Sequence, residues 1–145
     1  MRFWDASAIV PLLTVQRSSP SLRSKLDEDA AMVVWWASQI ECASAIERLA
    51  RENLVSPEET SEAYARLGRF AANWDEIDPS AVIREVAVRL LRVHPLRVAD
   101  ALQLAAAYLA ADRRPTSLEF VTLDDRLAAA ARREGFAVVD VASAT

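Results

Sequence analysis

The feature that most constrains this chain is an alternation of short apolar segments with longer segments of helical periodicity. Ala31–Trp36 is a run of six mostly large apolar residues, typical of a strand buried on both faces of a sheet. Ser38–Glu52 follows, with Ile46 and Leu49 on the apolar stripe of a helix. Strands that alternate with helices form parallel sheets through right-handed crossovers. The sequence therefore predicts a three-layer α/β/α domain with a short central parallel sheet.

Turn and capping residues delimit the remaining elements. Ser56-Pro57 is typical of a helix start, and Gly135 is typical of a helix end. The predicted strands are Arg2–Asp5, Ala31–Trp36, Phe120–Leu123 and Ala137–Val141. The predicted helices are Ala8–Leu13, Ser18–Asp29, Ser38–Glu52, a segment from Ser56 towards Trp74, one from Asp78 to just before Pro95, Arg97–Asp112 and Asp125–Glu134. With 145 residues, we expect one domain spanning residues 1–145.

Composition argues against several classes of function. Only two residues are glycine, so the chain has no Gly-rich phosphate loop of the P-loop or dinucleotide type. No apolar run reaches the roughly 18–20 residues of a membrane span, and the start turns acidic at Asp5, too early for a signal peptide. Cys42 is the single cysteine and cannot form an internal disulfide. We therefore expect a cytoplasmic protein that does not associate with membranes.

The charged residues do not exclude a nucleic-acid substrate. The net charge of −4 argues against a globally basic nucleic-acid binder. However, sixteen of the seventeen basic residues are arginine, and the planar guanidinium group suits phosphate recognition. This bias is also explained by a GC-rich genome, so it is compatible with a nucleic-acid substrate without proving one.

Four acidic residues lie where an apolar, strand-like stretch gives way to a helix-like one: Asp5, Glu41, Asp100 and Asp124. In an α/β fold such junctions line one edge of the sheet, where ligand sites form. Carboxylates that are far apart in the sequence can therefore meet in one cleft.

Helix capping is the alternative explanation for each carboxylate taken alone. Ser38-x-x-Glu41 has the form of a capping box, Asp124 is suited to cap a helix, and Asp100 is suited to the positive end of a helix dipole. Capping does not explain the surroundings of Asp100, which lies between Ala99 and Ala101 on an apolar helix face. A carboxylate in such a place needs a charge partner or a metal ion.

Four blocks of sequence, in order along nearly the whole chain, resemble the signature blocks of PIN-domain ribonucleases. The closest resemblance is to the VapC-type toxins of bacterial toxin–antitoxin pairs. The blocks are Trp4-Asp5-Ala6-Ser7-Ala8-Ile9-Val10, Ser38-x-Ile40-Glu41-x-x-Ser44-Ala45-x-x-Arg48, Leu96-Arg97-x-x-Asp100-Ala101-Leu102-x-Leu104-Ala105-Ala106-Ala107 and Val121-Thr122-x-Asp124.

The resemblance implies a PIN-like fold and a catalytic acidic quartet that coordinates Mg²⁺ or Mn²⁺. Ser7 and Thr122 match hydroxyl positions that support the metal or its waters, and Arg97 and Arg48 match recurring basic positions. Asp125 directly follows Asp124, so the choice of the fourth ligand depends on alignment with Thr122. Hard divalent cations prefer such oxygen ligands. The implied quartet is Asp5, Glu41, Asp100 and Asp124.

The resemblance further implies a metal-dependent endoribonuclease that cuts single-stranded RNA and acts as a toxin. We expect an antitoxin partner whose disordered tail folds on binding and presents basic side chains to the acidic cleft. We also expect a homodimer. One alternative is a PIN-like domain kept as a non-catalytic RNA- or protein-binding module. Another is an acidic-site phosphohydrolase, but that class typically places a second Asp two residues after the first, where this chain has Ser7.

Three other features have simpler structural interpretations. His94 precedes Pro95 at a helix end and is interpreted as structural, and Cys42 is interpreted as a core residue. Strand alternation points the rings of Trp35 and Trp36 to opposite faces, so we expect both to be buried between helices and sheet. Stacking of one ring on an RNA base is the alternative.

Overall fold

A central sheet of parallel strands organises the computed structural model, which describes residues 1–141. Within that part of the chain, five strands lie in the order β3-β2-β1-β4-β5. The strands are β1 (Arg2–Trp4), β2 (Met32–Trp35), β3 (Asp75–Ile77), β4 (Glu119–Val121) and β5 (Ala137–Val138). The helices are α1 (Ala6–Leu13), α2 (Ser19–Glu28), α3 (Ser38–Arg51), α4 (Pro57–Ala71), α5 (Ala81–Val93), α6 (Val98–Ala110) and α7 (Asp125–Glu134).

Helices cover both faces of this sheet, as the alternating side chains of β1 demonstrate. Phe3 is fully buried in a core shared with α5, α6 and α7, where its ring stacks on that of Phe120 at 5.2 Å between centroids. Trp4 points the other way, into a second core shared with α1, α2, α3 and α4. Successive residues of β1 thus contribute side chains to the cores on opposite faces of the sheet. The predicted three-layer α/β/α fold is confirmed.

Strand β3 was not predicted, and the segment that was expected to be helical up to Trp74 ends at Ala71. Asp75–Ile77 is a short, largely exposed edge strand without the apolar run that marks a buried strand. It exists because it pairs in parallel with β2, with Val33 opposite Asp75. Strand β5 is also shorter than predicted. No helix within residues 1–141 has both the length and the apolar character needed to cross a bilayer.

The strand order creates a switch point at the centre of the sheet. β1 pairs with β2 on one side and with β4 on the other. The chain therefore leaves β1 and β4 toward opposite faces, and their carboxyl ends open a crevice between them. Asp5 directly follows β1, and its backbone N–H donates to the Val121 carbonyl at 3.1 Å. This crevice is the position at which an α/β sheet binds ligands.

Candidate active site

Asp5 occupies the switch point, where its carboxylate is buried and held by several donors. It is the N-cap of α1, and its Oδ1 accepts from the Ser7 backbone N–H at 3.2 Å. Its Oδ2 accepts from the Ser7 hydroxyl at 2.6 Å and from the Thr122 hydroxyl. Burial raises the pKa of Asp5, the nearby charge of Asp124 adds to this, and the hydrogen bonds oppose it. The fold therefore holds a carboxylate at one fixed place in an unfavourable environment.

The two hydroxyls near Asp5 also connect the ends of β1 and β4. The Ser7 Oγ accepts from the Leu123 backbone N–H at 2.9 Å and lies 3.2 Å from the Thr122 Oγ1. The Thr122 Oγ1 accepts from the Asp124 N–H at 3.0 Å. This network couples the position of Asp5 to the loop that carries Asp124.

Glu41 lies in the first turn of α3, and it does not form the capping box that its spacing indicated. The N-cap of α3 is Ala37, which makes no side-chain capping bond. Instead, the Glu41 Oε1 accepts from the Gln103 Nε2 at 3.0 Å. Burial raises the pKa of Glu41 to about 7; the charges of Asp5 and Asp100 act in the same direction, and the Gln103 bond opposes them. The capping explanation for Glu41 was wrong because Gln103 binds both Ser38 and Glu41.

Asp100 and Asp124 each lie at the N-terminal end of a helix beside the same crevice. Asp100 is in the first turn of α6, where burial and then the charges of Asp124 and Asp5 raise its pKa, against the effect of Arg97. Asp124 is the N-cap of α7, and its Oδ1 accepts from the Leu127 N–H at 2.8 Å. Asp124 thus caps a helix and also faces the other carboxylates.

The predicted acidic residues meet in one cleft with a volume of about 620 Å³, lined by Asp5, Glu41, Asp100 and Asp124 together with Ser7, Ile40 and Arg48. An adjoining cleft of about 750 Å³ shares Glu41, Arg48, Asp100 and Asp124 with the first and adds Arg97, Asp125 and Arg126. An acidic centre is therefore flanked by three guanidinium groups. The sequence did not single out Arg126, because a charged residue in a first helical turn is ordinary on its own.

The four carboxylates supply the oxygen donors that a hard divalent cation prefers. Burial is the main cause of the raised pKa values of Asp5, Glu41 and Asp100, and the charges of neighbouring carboxylates add to it. A cation between the carboxylates would relieve their repulsion. Nevertheless, among residues 1–141 no group of three or more His, Cys, Asp or Glu side chains is placed so that it could hold a metal ion. The donor chemistry fits Mg²⁺ or Mn²⁺, which retains several waters and takes few direct carboxylates.

The remaining singled-out residues divide between core and surface. The His94 Nε2 lies 2.7 Å from the Glu134 Oε2 and the imidazole is buried, in agreement with a structural role. Cys42 is fully buried, and burial raises the pKa of its thiol to about 12. Trp35 is buried as predicted, but the prediction for Trp36 was wrong. The residue is 46% exposed and lies directly after the end of β2 at Trp35.

Comparison with known proteins places the chain in a family. It is 35% identical over 112 residues to Ribonuclease VapC45 and to Ribonuclease VapC49, each from a strain of Mycobacterium tuberculosis. Each match covers 76% of this chain and 76% of the relative. The chain belongs to the VapC ribonuclease family. The resemblance seen in the sequence blocks is thereby confirmed, although no protein-family model matches the chain.

Solved structures show the same fold as this VapC-family chain. A toxin–antitoxin complex from Klebsiella pneumoniae superposes with a TM-score of 0.67 at 18% identity, over 99% of both chains. FitAcB from Neisseria gonorrhoeae gives a TM-score of 0.66 at 17% identity, over 97% of both chains. PAE2754 from Pyrobaculum aerophilum gives 0.62 at 18% identity, over 95% of this chain and 88% of the other. At such identities the likeness concerns the fold alone.

Proposed function

We propose that this protein is a Mg²⁺- or Mn²⁺-dependent endoribonuclease that hydrolyses phosphodiester bonds of single-stranded RNA. One observation carries the proposal, namely that carboxylates at the N-terminal ends of α1, α3, α6 and α7 line a single cleft. Membership in a family of ribonucleases supports the same chemistry. The proposed metal-binding and catalytic residues are Asp5, Glu41, Asp100 and Asp124.

Each residue of the site has a distinct role in this proposal. A bound cation would supply an activated water and neutralise charge on the phosphate. Asp5 would bind the cation at a fixed place, because Ser7 and Thr122 both donate to its Oδ2 and leave it little rotational freedom. Asp124 is similarly restrained by its bond to the Leu127 N–H, which leaves its second oxygen free of that capping bond.

The arginines beside the cleft would bind the RNA backbone. Arg48 lines both clefts, while Arg97 and Arg126 line the outer one. Guanidinium groups bind phosphate oxygens in a bidentate manner. RNA phosphates on either side of the scissile bond would therefore contact arginine, while the scissile phosphate approaches the acidic centre through the metal ion. Ile40, which is 61% exposed in the first cleft, offers an apolar surface to a base.

The two alternative functions have less support. In an acidic-site phosphohydrolase a second Asp would stand at position 7, but Ser7 occupies it and its hydroxyl is bound to Asp5. A non-catalytic binding module has no need for several carboxylates held close enough to raise one another's pKa values. That arrangement costs folding free energy, and catalysis explains why it is present.

We propose that an antitoxin protein is the regulatory partner, and that the chain acts as a homodimeric toxin in the cytoplasm. The match to a toxin–antitoxin complex supports the partner. A groove of about 540 Å³ between α1, α2 and α4 has an apolar lining that includes Leu12, Leu26 and Phe70, with arginines at its sides. An amphipathic segment with acidic residues suits such a groove. On α5, Val88 and Val93 are at least half exposed, which supports a dimer contact.

The test is to offer the purified protein two substrates in the presence of Mn²⁺: end-labelled single-stranded RNA and p-nitrophenyl phosphate. We expect RNA cleavage without release of p-nitrophenol, and loss of cleavage in Glu41→Gln. Monoester hydrolysis without RNA cleavage would favour the phosphohydrolase. RNA binding without cleavage, equal in Glu41→Gln, would favour the binding module.

A further inference from the structure

Gln103 is a buried polar residue in a helix made mostly of alanine and leucine. It lies on α6, three residues after Asp100, and its side chain is 1% exposed. Its neighbour Leu104 is fully buried. The Gln103 Nε2 donates to the Ser38 Oγ at 2.9 Å and to the Glu41 Oε1 at 3.0 Å. Both donor positions of the amide are therefore directed at the start of α3.

Packing alone does not explain an amide at this position. The Gln103 Oε1 is buried without a hydrogen-bond partner in the described part of the chain. Burial of such a group is unfavourable, and an apolar side chain would avoid that cost. The ionised Glu41 carboxylate only accepts hydrogen bonds, so in that state it must face the amide nitrogen, as it does here. The unfavourable burial of the Gln103 Oε1 is offset by the two hydrogen bonds that its Nε2 donates to Ser38 and Glu41.

We propose that Gln103 is a positioning residue that fixes the Glu41 carboxylate relative to Asp100. One helix, α6, carries both Asp100 and the amide that holds Glu41. The bond therefore sets the separation and direction of two carboxylates that belong to different helices. The other N–H of the amide donates to the Ser38 hydroxyl, which helps to hold the amide in place. This inference rests on the proposed metal-dependent function, since it assigns Gln103 a role in preparing Glu41 for the cation.

The test compares Gln103→Met with Gln39→Met, a matched control on the exposed surface of the first turn of α3. Methionine keeps the length and flexibility of glutamine but has no N–H donor. Mn²⁺ affinity is measured by isothermal titration calorimetry, RNA cleavage by single-turnover rates, and folding by thermal melting. Loss of an outer partner of a metal ligand typically costs about 10- to 100-fold in affinity or activity, and we expect a loss of this size for Gln103→Met alone.

A double-mutant cycle distinguishes positioning from a general effect on the fold. If Gln103 acts through Glu41, then Gln103→Met in a Glu41→Gln background should cause no further loss of Mn²⁺ affinity. An equal loss in both backgrounds, or a Gln103→Met protein that behaves like Gln39→Met, would overturn the inference. Ser38→Ala, which removes only the other partner of the amide, should give a smaller loss in the same direction. If Gln103→Met fails to melt cooperatively, Ser38→Ala decides the question, and unchanged Mn²⁺ affinity in that variant overturns the inference.

The same experiment separates this inference from the proposed function. Wild-type protein that binds Mn²⁺ and cleaves RNA, beside an unaffected Gln103→Met variant, overturns the role of Gln103 alone. Wild-type protein that neither binds Mn²⁺ nor cleaves RNA overturns the proposed function and this inference together.

Discussion

The Thr122 hydroxyl donates a hydrogen bond to the Asp5 carboxylate across the β1–β4 pair, although the two residues are 117 positions apart in the sequence. The same Thr122 oxygen accepts the backbone N–H of Asp124 at 3.0 Å. One side chain therefore sets the distance between the ends of two strands and the orientation of a buried carboxylate.

Replacement of Thr122 by valine should impair the site with little change in packing, because the two side chains have the same shape. The Asp5 Oδ2 would lose one of its two hydroxyl donors, and the pKa of Asp5 would rise further. We expect RNA cleavage to fall by about 10- to 100-fold, measured as single-turnover rates at saturating Mn²⁺. Thr122→Ser retains the hydroxyl and is the control. Equal rates in the valine and serine variants would contradict the role of this bond.

Asp124 and Asp125 should differ in their effects on catalysis. Asp124→Asn removes a charge from the acidic cleft but leaves a good N-cap residue for α7, so the melting temperature should change little or rise. Loss of a residue that only supports a metal ligand typically costs up to about 100-fold in activity. Asp124 is proposed to be a ligand itself, so its loss should reduce RNA cleavage by more than this. Asp125 lies in the first turn of α7, where a carboxylate typically contributes only about 0.3–1 kcal/mol. Asp125→Asn should keep most of its activity; rates in the reverse order would mean that Asp125 is the fourth ligand.

Glu41 should make the metal-free protein less stable at neutral pH than in mild acid. Its pKa in the folded protein, about 7, lies above the ordinary value of 4.5, so the folded state binds this proton more tightly than the unfolded chain. Its stabilising effect is fully present below about pH 4.5 and is lost as the pH rises through 7. In EDTA, Glu41→Gln should therefore gain stability relative to wild type between pH 5 and 8.

The size of this gain should be on the order of 1 kcal/mol, because solvent screens the partly exposed Glu41 side chain. Thermal or urea unfolding at several pH values measures it. The aspartates Asp5 and Asp100 remain in both proteins, so their own titrations cancel to a first approximation in the comparison. If the free energies of unfolding of the wild type and Glu41→Gln change with pH in the same way, then Glu41 does not bind its proton more tightly in the folded state.

An antitoxin should relieve toxicity and co-purify with this chain. Expression of the chain alone should arrest growth, and co-expression of the adjacent gene should restore it and give a stable complex. Phe70→Glu places a charge in the groove between α1, α2 and α4, away from the acidic cleft, and should weaken the complex while RNA cleavage persists. Harmless expression of the chain without any co-purifying partner would contradict the toxin assignment while leaving the fold intact.

The fold class and the meeting of the carboxylates were predictable because they depend on local signals. Ala31–Trp36 and the segment before Asp124 are apolar enough to indicate strands, and parallel strands align their carboxyl ends by geometry alone. Asp5 and Asp124 therefore had to lie at one edge once both strands were assigned to one sheet. The signature blocks then indicated which acidic residues to consider.

Elements that depend on a distant partner were not predictable in this way. Asp75–Ile77 has no apolar pattern and becomes a strand only by pairing with β2. Gln103 had a weak signal, a single amide on an apolar helix. Its contact with Glu41 spans 62 residues and depends on how the starts of α3 and α6, which cover opposite faces of the sheet, meet at the sheet edge. Ser38-x-x-Glu41 matched a local capping pattern, and tertiary contacts with Gln103 prevailed over it.

The measurement that tests the central claim most directly is cleavage of a labelled single-stranded RNA by protein that has been treated with EDTA and then titrated with Mn²⁺ or Mg²⁺. The account predicts no cleavage in EDTA, recovery with added cation, and no recovery in Asp5→Asn at any cation concentration. Undiminished cleavage in EDTA at any ratio of enzyme to RNA, or full activity in Asp5→Asn, would contradict a metal-dependent mechanism based on these carboxylates.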